Sequence, residues 1–186
     1  MDFGKHADYS ALCVVQAVLA SSCVGYPATA MHVRHLERYP LGTGYDALAD
    51  RIAEIMATLE KTGPATLLAD ATGVGGAAVD LLRERGVQFV GINIHGGGNV
   101  TRTADGYSVP KLALVGTLET ALQTGALKIA EGLKLGGVLA TELQGFRRKQ
   151  SRRGHVRYEH ARAGDHDDLL LATSLACWGV SVRLVG

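Results

Sequence analysis

The chain has 186 residues, enough for one packed domain and tight for two. An apolar fraction of 47% excludes a disordered tail, and 19 basic against 18 acidic side chains leave a formal charge of +1, so no global excess points to a nucleic-acid or membrane partner. Glycine is the outlier at 24 residues, close to twice its usual share of ~7%, and it lacks the G-X-Y period of collagen. Cys13, Cys23 and Cys177 have no C-x-x-C spacing, which argues against a zinc ribbon or a disulfide framework and leaves buried reduced thiols. No cationic leader precedes an apolar segment at Met1–Lys5, and no apolar run reaches the ~18 residues of a membrane span. A soluble protein of a reducing compartment is expected.

The elements follow in chain order. Ser10–Ala20 is an apolar, β-branched run that breaks at the turn-rich segment Ser21–Pro27. Ala30–Leu41 alternates Met31, Val33 and Leu36 with His32, Arg34, His35 and Arg38, which predicts an antiparallel neighbour with one solvated face. From Tyr45 the period changes: Leu48, Ile52, Ile55 and Leu59 mark an amphipathic helix closed by Gly63-Pro64. Thr66–Asp70 is a short buried strand ending in a carboxylate, followed by the glycine turn Thr72–Gly76, a helix over Ala77–Arg85 stopped by Gly86, and a strand over Val87–Ile94.

A hairpin is expected from Val100–Thr103 through the Asp105-Gly106 turn to Tyr107–Val109. Helices are expected at Lys111–Thr124 and Leu133–Gln144, a basic ribbon over Arg147–His160, and a closing apolar helix over Leu169–Trp178. The order predicts a single α/β domain over residues 1–186: a three-layer unit with a central mixed β-sheet flanked by helices, plus a basic β-ribbon.

Three carboxylate sites stand where backbone geometry is controlled. Asp2 precedes a glycine turn, Asp70 ends a strand, and Asp165, Asp167 and Asp168 open the last helix. Strands lie ~4.8 Å apart, so such carboxylates can converge on one point. Clustered acids raise one another's pKa unless a cation sits among them, and hard oxygen donors suit magnesium or manganese. For any one of these acids a turn or a helix cap competes as the explanation; their conjunction carries the weight. The Gly73–Gly76 turn lacks the Lys-Ser/Thr ending of a P-loop, which leaves a tight strand-to-helix turn. Arg147–Arg157 holds six Lys/Arg and no acid, and it ends just before the acidic helix start. A polyanion held by Arg147, Arg148, Lys149, Arg152 and Arg153 would pass the carboxylates.

Taken together, Asp2-Phe3-Gly4 with Asp8–Leu12, His32–Thr43, Leu68–Gly75, Val109-Pro110-Lys111 and Gly164–Leu169 resemble the nuclease domain of tailed-phage (or prophage) large terminase subunits. The resemblance implies a ribonuclease H-like fold and two divalent ions, Mg²⁺ or Mn²⁺. It also implies endonuclease cleavage of concatemeric double-stranded phage DNA during genome packaging, by two-metal phosphodiester hydrolysis. It makes Asp2 and Asp70 metal ligands, with Asp70 bridging, Asp168 the third, and Asp167 or Asp165 assisting. Lys111 and the ribbon would hold the DNA backbone, and His166 or His95 could relay protons. Partners implied are the terminase ATPase motor, the small terminase subunit and the portal, in the cytoplasm of a bacterial host. No Walker motif occurs in these residues, so an ATPase domain is not expected here. Only Met1 precedes Asp2, where the family has several apolar residues, so a shortened first strand is expected. Two alternatives remain open: a DNA-binding packaging module of the same fold without activity, and another ribonuclease H-like nuclease such as a junction resolvase.

Overall fold

The structure is a computed structural model, and it describes residues 1–4, 8–20, 28–73, 75–150, 156–160 and 166–184. The chain opens with β1 (Ser10–Ala20) and β2 (Ala28–Tyr39), a long antiparallel pair. Next come α1 (Tyr45–Glu60), β3 (Leu67–Asp70) and α2 (Gly75–Glu84). The middle of the chain forms β4 (Phe89–His95), β5 (Thr101–Thr103), β6 (Gly106–Pro110) and α3 (Lys111–Gln123). The last part contains β7 (Leu127–Ile129), α4 (Gly136–Gly145), the ribbon strands β8 (Phe146–Gln150) and β9 (Val156–His160), and α5 (Asp168–Ser181).

These elements match the expected order, with two differences. β7 is an addition: three residues are too few for a period, and Leu127–Ile129 is a strand because it pairs in parallel with Met31–Val33 of β2. The helix expected from Leu133 begins at Gly136, after a tight turn in which Gly136 N–H donates to Leu133 O at 2.8 Å. Local chemistry sets the ends elsewhere. Gly86, at φ +70°, closes α2 with Val87 N–H donating to Leu82 O and Gly86 N–H to Arg83 O, the paired bonds of a Schellman cap.

Hydrogen bonding divides the strands into a sheet ordered β1-β2-β7, a sheet ordered β3-β4-β6-β5 and the ribbon β8-β9. Both larger sheets are mixed. The short first segment stitches them together. Asp2 N–H donates to Ala11 O at 2.9 Å and Ala11 N–H to Asp2 O at 3.0 Å; on the other side Asp70 N–H donates to Met1 O at 3.0 Å and Met1 N to Leu68 O at 2.8 Å. Beyond Met1 the two sheets part around a cavity of about 830 Å³, lined in part by Leu12–Ala17 and Thr66–Leu68.

Helices cover both faces, as a three-layer unit requires. Leu12, Leu67 and Ala69 point towards α1 and α2, where Leu48, Ile52, Val79 and Leu82 meet them. Ala11, Cys13 and Leu68 point the other way, towards α3, α4 and α5. α5 is apolar on every side and buried along nearly its whole length, as expected of a helix enclosed by protein. Its Gly179 lies close on β3: a Cβ there would stand 2.9 Å from the Leu68 side chain. Cys13 and Cys177 are buried free thiols, and Cys23 lies outside the described residues. Among the described residues no helix is long and apolar enough to cross a membrane.

Among the described glycines, Gly106 combines a left-handed backbone with the tightest approach to a neighbour. Its φ is +153°, and a Cβ would collide with the Gly91 carbonyl of the neighbouring strand. Gly106→Ala should destabilise the fold by about 2 kcal/mol or more in a urea titration. Gly98→Ala, where a Cβ meets open space, should stay within about 0.5 kcal/mol of the parent. Equal effects would remove the close approach as the reason for Gly106.

Candidate functional site

Four carboxylates gather where the first segment, β3 and α5 meet. Asp2 is held by main-chain bonds to β1, while the next segment outward, Met1, pairs with β3, so Asp2 and Asp70 stand on neighbouring strands. Their carboxyls are close enough for each to shift the other's ionisation. Burial, then the Asp70 charge, then Asp167 and Asp168 hold the Asp2 carboxyl well above the ordinary carboxylate range. Burial also raises Asp70, against the hydrogen bonds it receives from Thr72, including Thr72 N–H to Oδ1 at 2.8 Å. Thr72 Oγ1 in turn accepts Ile94 N–H at 2.7 Å, which fixes this turn to β4.

The third corner is the start of α5. Asp167 occupies the N-cap position, yet its side chain makes no capping hydrogen bond; its Oδ2 instead accepts Lys111 Nζ at 2.8 Å. Capping therefore does not account for this acid. Asp168 is buried, with burial raising its carboxyl and Arg38 opposing the rise. Arg38 Nε donates to Asp168 Oδ2 at 2.6 Å, and its guanidinium also pairs with Glu142 of α4. Glu142 Oε2 accepts Leu170 N–H at 2.8 Å in the first turn of α5. The Arg38 guanidinium lies 5.1 Å from the centre of the Tyr9 ring, and Tyr9 meets His166 edge-on at 4.7 Å between centroids.

Of the residues singled out in the sequence, Asp2, Asp70, Asp167, Asp168, Lys111 and His166 come to this corner. Lys111 lies against an acid there. Arg147, Arg148 and Lys149 fall on β8, which follows α4 directly and pairs with β9. Asp165, Arg152 and Arg153 lie outside the described residues. His95 stands at the end of β4, where its Nδ1 accepts Gly97 N–H at 2.9 Å.

Arg38 and Glu142 were not identified as site residues from the sequence, though a signal for Arg38 was present. The apolar positions of β2 run Met31, Val33 and then Leu36, a change of phase. The ladder slips by one residue there, so that Val15 pairs with Val33 and Val14 with His35. Such a bulge turns the residues beyond it to the opposite face. Arg38 therefore shares the inward face with Leu36, opposite Ala11. Glu142 gave no comparable signal, being one acid on a short helix.

Among the described residues, no three carboxylate, imidazole or thiol groups are arranged to hold a single metal ion. Arg38 and Lys111 occupy the acids of α5. The donor chemistry nonetheless fits a divalent cation: Asp2 and Asp70 are neighbouring hard oxygen donors, and both are raised, by burial first and for Asp2 by the Asp70 charge next, so that a cation between them would favour their ionised forms.

No family model and no curated protein sequence matches the chain. Solved structures do. The large terminase nuclease from thermophilic phage G20c superposes with a TM-score of 0.58 at 21% identity, covering 94% of this chain and 77% of that one. The same nuclease with bound cobalt gives 0.57 at 19% identity, and with bound magnesium 0.56 at 20%, each covering 90% of this chain and 80% of that one. The chain thus has a ribonuclease H-like fold. More narrowly, it is the fold of the large terminase nuclease domains.

The buried acids make a pH prediction. Burial pushes the Glu142 carboxyl up to about 7 from an unfolded value near 4.5. Its contribution to stability is full below about pH 4.5 and lost as pH rises through about 7. Thermal unfolding of the parent protein should therefore move to lower temperature between pH 5 and pH 8, and Glu142→Gln should flatten that descent. An unchanged slope would place the pH dependence on other groups.

Proposed function

We propose that this chain is a metal-dependent DNA endonuclease that cuts concatemeric double-stranded DNA in a phage packaging system, the nuclease part of a large terminase. The observation that carries the proposal is the main-chain pairing that sets Asp2 and Asp70 side by side, with Asp168 and Asp167 on the adjoining helix start. The terminase fold, in a nuclease solved with bound magnesium and with bound cobalt, supports both the substrate class and the use of divalent metal.

Asp2, Asp70 and Asp168 are the residues that would hold Mg²⁺ or Mn²⁺, two ions in all, with Asp70 shared and Asp167 or Asp165 assisting. When bound, such ions polarise a phosphodiester, lower the pKa of attacking water and stabilise the departing oxygen. The protein's own contribution is to position and to neutralise. Main-chain bonds on both sides of the first segment fix Asp2, Thr72 orients Asp70, and the first turn of α5 presents Asp167 and Asp168 together. Lys111, now paired with Asp167, would hold a backbone phosphate of DNA. His166, packed on Tyr9, would relay a proton in this reading. The basic residues Arg147, Arg148, Lys149, Arg152 and Arg153 hold the backbone further along. The partners would be the ATPase motor, the small subunit and the portal of the same system, in the host cytoplasm.

A second form of the proposal, a DNA-binding packaging module without cleavage, is favoured by the Arg38 and Lys111 ion pairs at Asp168 and Asp167. Plasmid incubated with Mg²⁺, with Mn²⁺ or with EDTA separates the two. Nicking and linearisation should appear with either metal, vanish with EDTA and fall to background in Asp70→Ala. Cleavage retained in that variant would sink the metal-site assignment, and binding without cleavage would favour the module. Preferential cutting of four-way junctions over linear duplex would favour a resolvase instead.

The ribbon makes a separate prediction. Neutralising Arg147, Arg148, Arg152 and Arg153 together should weaken binding of duplex DNA and reduce its log–log salt slope by about 3–4, since each lost phosphate contact removes ~0.9. An unchanged slope would make these charges a solvated surface.

A further inference from the structure

The Arg38 pairings join three elements that are remote in sequence: β2, α4 and α5. Glu142 contacts the guanidinium with one oxygen and the Leu170 N–H of α5 with the other, so a single carboxylate fixes both Arg38 and the turn that bears Asp168. Arg38 is only 19% exposed, Glu142 6% and Asp168 5% at the side chain, so these charges meet with little water between them. At such a site the guanidinium neutralises Asp168 while no other cation is present. A divalent ion reaching Asp168 from the Asp2 and Asp70 side would meet a fixed positive charge already bonded to the same carboxylate, and the two cations repel.

Resting on the metal-dependent function proposed above, we propose that Arg38 is a built-in counter-cation that holds Asp168 in the metal-free protein and yields it to a divalent ion, with Glu142 retaining the displaced guanidinium. Arg38 is thus a positioning residue that sets how readily the site loads. Neither Asp168 nor Glu142 is left as an unpaired buried anion in either state, which is the condition that makes a broken buried ion pair costly. The two members of the pair act with opposite sign. Removing the charge of Arg38 frees Asp168 for the metal. Removing the charge of Glu142 leaves the guanidinium with Asp168 as its remaining carboxylate and tightens that hold.

The test is Mn²⁺ binding to the full chain at pH 8, where the Glu142 carboxyl is ionised, by calorimetric titration without DNA, alongside the metal-induced rise in melting temperature. Arg38→Gln should bind Mn²⁺ about tenfold or more tightly than the parent, given unit charges a few ångströms apart at an intermediate dielectric. It should also show a larger metal-induced rise from a lower metal-free melting temperature. Glu142→Gln should bind Mn²⁺ more weakly, and Arg38→Lys, which keeps the charge, should stay near the parent. In Arg38→Gln/Asp168→Asn the gain should vanish. Should Arg38→Gln fail to fold because Glu142 is left unpaired, Arg38→Gln/Glu142→Gln removes both charges and should still bind more tightly than Glu142→Gln alone. Equal or weaker binding in Arg38→Gln, with the parent still binding Mn²⁺, would overturn the counter-cation role and leave the metal reading intact. No Mn²⁺ binding in any variant would overturn both.

Discussion

Everything at the carboxylate corner depends on four main-chain hydrogen bonds made by two residues. Met1 and Asp2 bond to β3 on one side and β1 on the other, and they are the link through which the β1-β2-β7 sheet and the β3-β4-β6-β5 sheet act as one layer. A segment this short has no hydrophobic period of its own, so the two edges that flank it must hold it. Its register then decides the chemistry. A shift by one residue would send the Asp2 carboxyl to the opposite face and leave Asp70 without its neighbour. The pairing of Met1 and Asp2 with both flanking edges is what places the Asp2 carboxyl.

Placed there, Asp2 enters an electrostatic conflict that the rest of the corner moderates. Asp2, Asp70, Asp167, Asp168 and Glu142 face Arg38 and Lys111, and burial raises Asp2, Asp70, Asp168 and Glu142 alike. The two side-chain cations are not distributed evenly. Both serve the α5 end, through Asp168 and Asp167, while Asp2 and Asp70 face each other. At the junction of the two sheets the Met1 amino group, whose charged form burial disfavours, is set against Asp2 and Asp70, so an imbalance of one positive group against two negative ones remains there. Such an imbalance disfavours the folded state, and a fold that maintains it without function would be the less stable arrangement.

Much of the architecture was legible because it is local. The helix spacing of Leu48 and Ile52, the Asp105-Gly106 turn and the apolar run of α5 each declare themselves within a dozen residues, and all three are where the sequence places them. Asp2, Asp70, Asp167 and Asp168 were legible as a group because strand ends and helix starts are where carboxylates converge. What escaped the sequence is long-range or low in signal. Arg38 meets Glu142 across 104 residues and Asp168 across 130, and nothing local ties those positions together. β7 is a strand only because β2 offers it an edge. The β2 bulge lay between these cases: its change of apolar phase was visible, but its consequence for Arg38 depends on which helix lies above that face.

The bulge also connects packing to chemistry. Without the extra residue at Arg34, the alternation set by Met31 and Val33 would direct Arg38 to the α1 side, where Glu37 already binds Arg51. With it, Glu37 faces α1 while Arg38 faces α5, so two adjacent charged residues serve two different layers. The Glu37 pair is a structural clasp: hydrogen bonds from Arg51 foremost, then from Tyr39 and His35, hold its carboxyl down to about 2 against the effect of burial. The Arg38 pair has the opposite character, since the carboxylates it binds remain raised despite it. One strand thus carries an ion pair at a half-exposed arginine on one face and a more deeply buried one on the other. In the buried pair desolvation outweighs the attraction of Arg38, so its carboxylates are the ones whose charge the surroundings stabilise least.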